Sequence, residues 1–123
     1  SLISYGGEDT ELAIRIDKKF PKNLRKCSYA HAYHYSDKSL NQHRNNMFNY
    51  GLNNFNYIIQ KHPDYAKSLL PSNIIWLFNG YLIFNPINKL ICLFFLRLIK
   101  HPLLIKFLVI YSFVLGCRSA KKL

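Results

Sequence analysis

The stretch SYGGEDTELAIRI, residues 4–16, decides how the first part of the chain is expected to fold. Its glycines, Gly6 and Gly7, stand directly before the acids Glu8 and Asp9. A helix start accounts for this order simply, because a carboxylate can cap the first backbone N–H groups and its charge suits the N-terminal end of the helix dipole. We therefore predict a helix that begins near Asp9, with Asp9 as a candidate N-cap.

The same four residues also suit a catalytic site. A carboxylate at a helix N-terminus can act as a general base, and glycines in front of it let a substrate approach the backbone closely. Capping carboxylates are common in proteins, so this stretch alone leaves both interpretations open.

A strand is predicted after the first helix, which ends before Pro21 because proline cannot continue it. Aromatic and small residues alternate over residues 25–36, and such alternation is typical of a strand. Successive side chains of a strand point to opposite faces, so His31 and His34 are expected on different sides.

A long helix is predicted next, capped by Ser36 or Asp37 and ending near Pro63. Its apolar residues recur at helical spacing, and asparagine, glutamine and basic residues fill the rest of its surface. We expect that polar face to be solvated.

The composition divides the chain near residue 65. A length of 123 residues allows roughly one small domain. The part before residue 65 is polar and rich in tyrosine, whereas residues 69–117 are dominated by leucine, isoleucine and phenylalanine. We therefore predict two parts, residues 1–65 and residues 66–123, the second being a basic, hydrophobic, membrane-associated helical tail.

The tail is predicted to contain an interfacial helix. Residues 87–100 place Lys89, Arg97 and Lys100 on one arc of a helix and leave a wide apolar face. Residues 103–117 are apolar except for one lysine but are slightly short for a full membrane crossing. The alternative is an ordinary buried helical hairpin.

The net charge of +11 favours an anionic membrane surface as partner over nucleic acid, because the late cations stand among long aliphatic residues. The three cysteines are widely spaced, which argues against a disulfide framework or a zinc site and indicates a reducing compartment. No basic segment followed by an apolar run marks a signal peptide at the start. Since the chain begins inside what reads as an active-site turn, we expect it to be a fragment of a larger protein.

Residues 3–65 resemble the C-terminal part of the catalytic domain of family 2 glycosyltransferases, which have the GT-A fold. The resemblance is carried by a Gly-Gly-Glu-Asp turn, a Leu-x-x-Arg helix start, a late histidine and a Ser-Leu helix start, matched here by residues 6–9, Leu12 with Arg15, His34, and Ser39 with Leu40. It implies an α/β fold class. The chain would hold the C-terminal part of a Rossmann-like domain, mostly helical, with one short strand and the hydrophobic helical tail.

The resemblance implies an inverting hexosyltransferase that moves a sugar from a nucleotide-sugar donor to an acceptor hydroxyl. Asp9 would be the catalytic base, and Glu8 would hydrogen-bond the acceptor or orient the loop. Gly6, Gly7, Glu11 and Arg15 would bind substrate. A divalent cation, Mg²⁺ or Mn²⁺, would stabilise the leaving nucleotide, and His34 would be its ligand.

The acceptor is expected to be a glycan or a lipid-linked sugar of bacterial surface polysaccharide biosynthesis, met at the cytoplasmic face of the cell membrane. The family's first nucleotide-binding strands and its Asp-x-Asp pair are absent from these 123 residues, so the fragment is expected to be inactive alone. The alternative is a non-catalytic, membrane-associated interaction protein, in which the acids at residues 8–11 only start a helix.

Overall fold

Within the residues that the computed structural model describes, the chain forms six α-helices, one π-helical turn and one 3₁₀ turn. The structure describes residues 6–22, 27, 29–31, 33, 37–69 and 80–120. The helices are α1 (Glu8–Lys19), α2 (Leu40–Asn49), α3 (Phe55–Lys61), α4 (Ala66–Leu69), α5 (Pro86–Leu98) and α6 (Pro102–Ala120). A π-helical turn, Tyr50–Asn54, joins α2 to α3, and a 3₁₀ turn, Pro63–Tyr65, follows α3.

The α/β fold class predicted from the resemblance is wrong, because the described part of the chain is helical and contains no strand. The predicted strand over residues 25–36 falls partly outside the described residues. Within it, Tyr29 and Tyr33 are more than nine-tenths exposed and belong to no regular element. Alternation yields a stable strand only where a second strand pairs with it and its apolar face is covered, and the described residues supply neither.

The helix α1 begins one residue before its predicted start and is not capped by Asp9. Its N-cap is Gly7, which has a left-handed backbone with φ 97° and makes no side-chain cap hydrogen bond. The Gly7 carbonyl accepts the first helical hydrogen bond, from the Glu11 N–H at 2.8 Å. Glu8 and Asp9 are therefore the first two residues of the helix, within its acidic first turn.

The predicted long helix is present as α2, the π-helical turn and α3 in unbroken succession, but its cap differs from the prediction. Ser39, not Ser36 or Asp37, is the N-cap of α2. Its hydroxyl accepts from the Gln42 N–H at 3.3 Å, and the Gln42 side chain accepts from the Ser39 N–H at 2.8 Å. This reciprocal pair is a capping box, which satisfies two backbone donors at once.

The π-helical turn widens the long helix at Gly51. Its backbone hydrogen bonds span five residues instead of four: the Phe55 N–H donates to the Tyr50 carbonyl. The Gly51 carbonyl accepts instead from the Asn56 side-chain amide at 2.7 Å. A side chain thus satisfies a carbonyl in the stretch where the regular hydrogen-bond ladder is interrupted.

The helix α6 crosses this widened turn at backbone contact. A Cβ atom added to Gly51 would lie 2.3 Å from the Phe113 carbonyl oxygen, and one added to Gly116 would lie 2.1 Å from the Phe48 carbonyl oxygen. Real Cβ atoms essentially never come so close to backbone atoms. Only glycine therefore fits on either side of this crossing.

Aromatic side chains fill the space around the crossing. Phe55 packs edge-on against Phe113 with ring centroids 4.8 Å apart, and Tyr50 stacks on Phe113 at 5.6 Å. Phe84 and Val114 complete the buried cluster from the second part of the chain. The division at residue 65 remains a prediction, but helices from both sides of it share one hydrophobic core.

The helix α5 packs against the beginning of α6 along one side only. Asn85 caps α5 by accepting from the Asn88 N–H at 2.8 Å, and Pro86 occupies the first turn, where its missing N–H has no cost. Cys92 is buried at the contact, and its thiol lies 3.3 Å from the Leu104 carbonyl oxygen. The helices predicted over residues 87–100 and 103–117 are thus confirmed as helices.

We expect Gly116→Ala and Gly51→Ala each to lower the free energy of unfolding by about 1–3 kcal/mol, the usual cost of overpacking a core. An ordinary helical Gly→Ala change has the opposite sign, a gain of roughly 0.5–1 kcal/mol. Urea unfolding followed by far-ultraviolet circular dichroism measures the difference. Ser119→Ala, a change of similar size in the same helix, is the control and should stay within about 0.5 kcal/mol of the parent. Stabilisation by either glycine substitution would contradict the backbone contact.

Candidate functional site

The Gly6-Gly7 turn fits against the protein's own side chains. Both residues have positive φ angles, 85° and 97°. A Cβ atom on Gly7 would lie 2.8 Å from Cδ1 of Ile58 and 2.9 Å from Cε2 of Tyr50. The Asn54 side-chain amide donates to the Gly6 carbonyl at 2.7 Å, and Asn54 is almost fully buried. The glycines are thus required to dock the start of α1 onto the π-helical turn and α3.

Glu8 and Asp9 lie on the outer side of this docked turn, and both are exposed. They occupy the first turn of α1, where backbone N–H groups have no helical partner and the helix dipole favours negative charge. The arrangement presents two carboxylates to solvent from a turn whose backbone is held by buried contacts.

Glu11 points in the opposite direction and is buried, with 6% of its surface exposed. Lys61 Nζ donates to Glu11 Oε1 at 2.7 Å, and Arg15 Nε lies 2.7 Å from Glu11 Oε2. The hydrogen bond from Lys61 is the largest cause of a lowered pKa of Glu11, with the charges of Arg15 and Lys61 acting in the same direction. The same bond raises the pKa of Lys61.

His62 is the second buried member of this cluster, beside Glu11, whereas Lys61 and Arg15 reach it from the surface. Its Nε2 lies 3.7 Å from Glu11 Oε1, beyond hydrogen-bond distance but close enough for an ion pair if the ring is protonated. His62 is 5% exposed, and neither ring nitrogen has a hydrogen-bond partner among the described residues. Sequence reasoning missed Lys61 and His62, since nothing local connects them with an acid fifty residues earlier.

Two further contacts hold α1 beside α3 and the 3₁₀ turn. The Tyr65 hydroxyl donates to the Asp17 carboxylate, and this hydrogen bond is the main cause of a raised pKa of Tyr65. Lys18 Nζ lies 3.7 Å from an oxygen of Asp64, and both side chains are largely exposed. The helix α1 is therefore held by the long helix near its start and middle, and by the 3₁₀ turn near its end.

The residues expected to bind substrate differ in their exposure to solvent. Gly6 and Gly7 form the turn directly before Glu8 and Asp9. Glu11 is buried in an ion-pair cluster, and Arg15 pairs with it while keeping 61% of its side chain exposed. Of these two, only Arg15 has surface that a ligand could contact. Their roles in binding remain predictions.

The predicted metal ligand, His34, lies outside the described residues. Among the residues that are described, no group of three or more histidine, cysteine or acidic side chains could hold a metal ion. His31 is exposed and does not lie on a strand. The prediction that strand alternation separates His31 from His34 is therefore not supported. The Mg²⁺ or Mn²⁺ requirement stays a prediction from the resemblance.

Comparison with known proteins identifies no relative: no family model, curated protein or solved structure matches the chain. The resemblance to family 2 glycosyltransferases therefore stays a prediction from the residues that carry it.

The helix α6 is long and apolar enough to cross a membrane. It spans Pro102–Ala120, 19 residues, and an 18-residue window within it has a mean hydropathy of 1.7. Length and composition therefore support membrane association of the chain.

We expect Glu11→Gln to destabilise the fold at neutral pH, because it leaves Lys61 and Arg15 without their buried counter-charge. A carboxylate with a lowered folded-state pKa contributes stability above its usual value of 4.5 and loses it as the pH falls through the folded-state pKa. The gap between parent and variant should therefore narrow as the pH is lowered below 4.5. Urea titrations at several pH values test this.

Asp37→Asn is the matched control for that series, since Asp37 is an exposed carboxylate before α2. It should change stability little at any pH. A gap between parent and Glu11→Gln that is absent at neutral pH, or widens in acid, would rule out the ion-pair cluster.

Proposed function

We propose that this chain supplies the acceptor-activating carboxylates of an inverting glycosyltransferase that works at a membrane surface. The proposal rests on one observation. Two acids, Glu8 and Asp9, are exposed on the first turn of α1, and the glycine turn before them is packed against buried side chains of the long helix. The residues around them are those that resemble the corresponding turn of family 2 glycosyltransferases.

The position of Asp9 suits a general base. A base must reach the hydroxyl proton that it removes, and Asp9 is open to solvent on a helix end. Rigid support keeps such a group in position, and here the Gly6-Gly7 turn is locked against Ile58 and Asn54. Glu11 is engaged inside the protein, which leaves Glu8 and Asp9 as the two acids at this helix start that a substrate can contact.

The proposed reaction transfers a hexose from a nucleotide diphosphate sugar to an acceptor hydroxyl. The acceptor oxygen attacks the anomeric carbon, the bond from that carbon to the diphosphate breaks, and the nucleotide diphosphate leaves. Asp9 takes the hydroxyl proton as the new bond forms, while Glu8 accepts a hydrogen bond from the acceptor and orients it. No step is assigned to a metal ion, since the described residues assemble no group that would hold one.

The proposed place of action is the cytoplasmic face of the membrane, where a lipid-linked or polysaccharide acceptor would be available. The apolar helix α6 and the basic second part of the chain support a membrane location. The donor would be bound by residues other than those described for this chain.

A second candidate function is a non-catalytic membrane-associated interaction protein. One observation favours it: the Gly6-Gly7 turn is already explained by its packing against Ile58 and Tyr50, without any substrate. In that case Glu8 and Asp9 would only favour the start of α1 electrostatically.

The substitution Asp9→Asn separates the two candidates. An amide can hydrogen-bond a hydroxyl but cannot accept its proton, so we expect transfer to fall by roughly 10²–10⁴-fold, the usual contribution of a general base. The measurement uses the natively expressed protein in its membranes, with radiolabelled uridine and guanosine diphosphate hexoses as donors. Incorporation into the lipid and polysaccharide fractions gives the rate.

Asp37→Asn is the control for the loss of a surface carboxylate, and Glu8→Gln should reduce transfer less than Asp9→Asn. Thermal unfolding of each variant shows whether α1 is still docked. Turnover of Asp9→Asn above about a tenth of the parent would remove Asp9 from the role of base. Parent membranes that transfer none of these sugars would favour the non-catalytic candidate.

A further inference from the structure

We propose that α5 and the first turn of α6 form a surface that docks onto anionic lipid from one side, and that α6 does not cross the bilayer while it is packed on α2. This membrane-docking surface comprises the exposed side chains of residues 87–106. The inference does not rest on the catalytic role of Asp9.

The apolar stripe of α5 has no partner within the described structure. Ile87, Leu90, Phe94 and Leu98 follow one another at helical spacing and are 63–69% exposed. Ile91 and Phe95 widen this stripe, and Ile99 and Leu103 extend it across the bend into α6; all are exposed. An apolar patch of this kind marks an interaction surface on a folded protein.

The charges next to the stripe favour anionic lipid as the occupant. Asp64 is the last acidic residue of the chain, so residues 65–123 carry cations without any carboxylate. Arg97, Lys100 and Lys106 are exposed beside the stripe. Cations flanking an apolar helix face are typical of helices that lie in the membrane interface, where they meet lipid phosphates while the apolar side chains enter the acyl region.

Lys89 does not share this role, although it lies on the same helical arc as Arg97. Its Nζ lies 5.5 Å from the centre of the Tyr111 ring, so the side chain turns toward α6. The lipid-facing cations are therefore Arg97, Lys100 and Lys106 rather than the predicted set with Lys89.

An open apolar groove beside the stripe also suits lipid. It runs between α5 and α6, has a volume of about 270 Å³, and is lined by Ile91, Phe95, Leu103 and Phe107 among others. A flexible acyl chain can follow such a groove without requiring a complementary folded partner.

The packing of α2 on α6 argues against a membrane crossing. Arg44 of α2 donates from Nε to the Ser112 hydroxyl at 3.3 Å, and Ser112 lies near the middle of α6. If α6 crossed the bilayer in this arrangement, the Arg44 guanidinium would lie near the centre of the hydrocarbon, where a charge is strongly unfavourable. The polar side chains of α2, which include exposed Gln42 and Asn45, would be carried to the same depth.

Burial along α6 agrees with one-sided docking. Leu108, Val114 and Cys117 are covered by the rest of the protein, whereas Leu103 and Ile105 at its beginning are exposed. The exposed large apolar side chains of α6 are thus Leu103 and Ile105 in its first turn, next to α5, and Leu115 further along. We assign the first turn to the docking surface because it continues the stripe of α5.

Vesicle binding tests the docking surface. The protein is mixed with vesicles of phosphatidylcholine alone or with added phosphatidylglycerol, and the bound fraction is measured by flotation. Replacing Leu90, Phe94 and Leu98 together by Gln should lower binding to both vesicle types at least tenfold. The matched control replaces Leu12 and Ile16 of α1 and Phe20, which follows it, by Gln; these three are 37–49% exposed, and the control should bind as the parent does.

Charge reversal tests the lipid preference. Arg97→Glu, Lys100→Glu and Lys106→Glu together should abolish the preference for phosphatidylglycerol and the salt dependence of binding. Lys19→Glu with Lys22→Glu, exposed cations at the end of α1, is the control and should retain both. Equal binding of parent and charge-reversed protein to the two vesicle types, or unchanged binding of the Gln variant, would overturn the proposal.

Cysteine labelling tests whether α6 crosses. Lys100→Cys and Ser119→Cys, at the two ends of α6, are made separately with Cys27→Ser; Cys92 and Cys117 are buried. A membrane-impermeant maleimide is applied to right-side-out and inverted membrane vesicles from expressing cells. One-sided docking requires that both positions react in the same vesicle orientation. Reaction in opposite orientations would show a crossing and overturn the proposal.

Discussion

The close backbone approach of α6 to the long helix, at Gly51 on one side and Gly116 on the other, is the constraint on which the rest of this structure depends. Because neither residue has a Cβ atom, α6 can lie against the π-helical turn at a distance that no other residue pair allows. That closeness brings Phe55 and Phe113 into ring contact and closes the aromatic core. It also joins helices that lie some sixty residues apart in the sequence, so the polar first part and the apolar second part fold as one unit.

The start of α1 depends on this unit in turn. Its glycine turn rests on Tyr50, Asn54 and Ile58, which belong to the same long helix that α6 crosses. Docking gives the acids of the first turn different environments. Glu11 turns inward to a buried ion-pair cluster with Lys61, while the two preceding acids stay outside. The property that makes them candidates for chemistry, exposure on a rigid support, is thus a consequence of tertiary packing.

Local patterns predicted the helices but not how they meet. Apolar spacing and prolines located α1, the long helix, α5 and α6, because those signals act within one element. The strand predicted over residues 25–36 is not found among the described residues of that stretch, and alternation does not reveal whether a pairing strand exists. The Gly51–Gly116 crossing was not predicted because helix register is a tertiary property. The burial of Glu11 was equally hidden, as its partner Lys61 is fifty residues away and the three neighbouring acids look alike in sequence.

Sequence patterns were equally unable to predict how the apolar second part of the chain packs. Leucine, isoleucine and phenylalanine are abundant in a buried hairpin, a membrane span and an interfacial helix alike, so the composition that led us to predict a membrane-associated tail does not by itself distinguish these three structures. The exposure of the apolar side chains in the structure distinguishes these three possibilities. One face of α6, with Phe113, Val114 and Cys117, is buried against the long helix and neighbouring aromatics, whereas α5 keeps a full apolar stripe open beside cations. A helix that crosses a bilayer alone needs apolar side chains on all of its faces and along its whole length. In this protein the open apolar stripe lies along α5, whereas the middle of α6 packs on α2, where Arg44 donates to Ser112. Such an arrangement suits a protein that lies at the boundary between water and lipid.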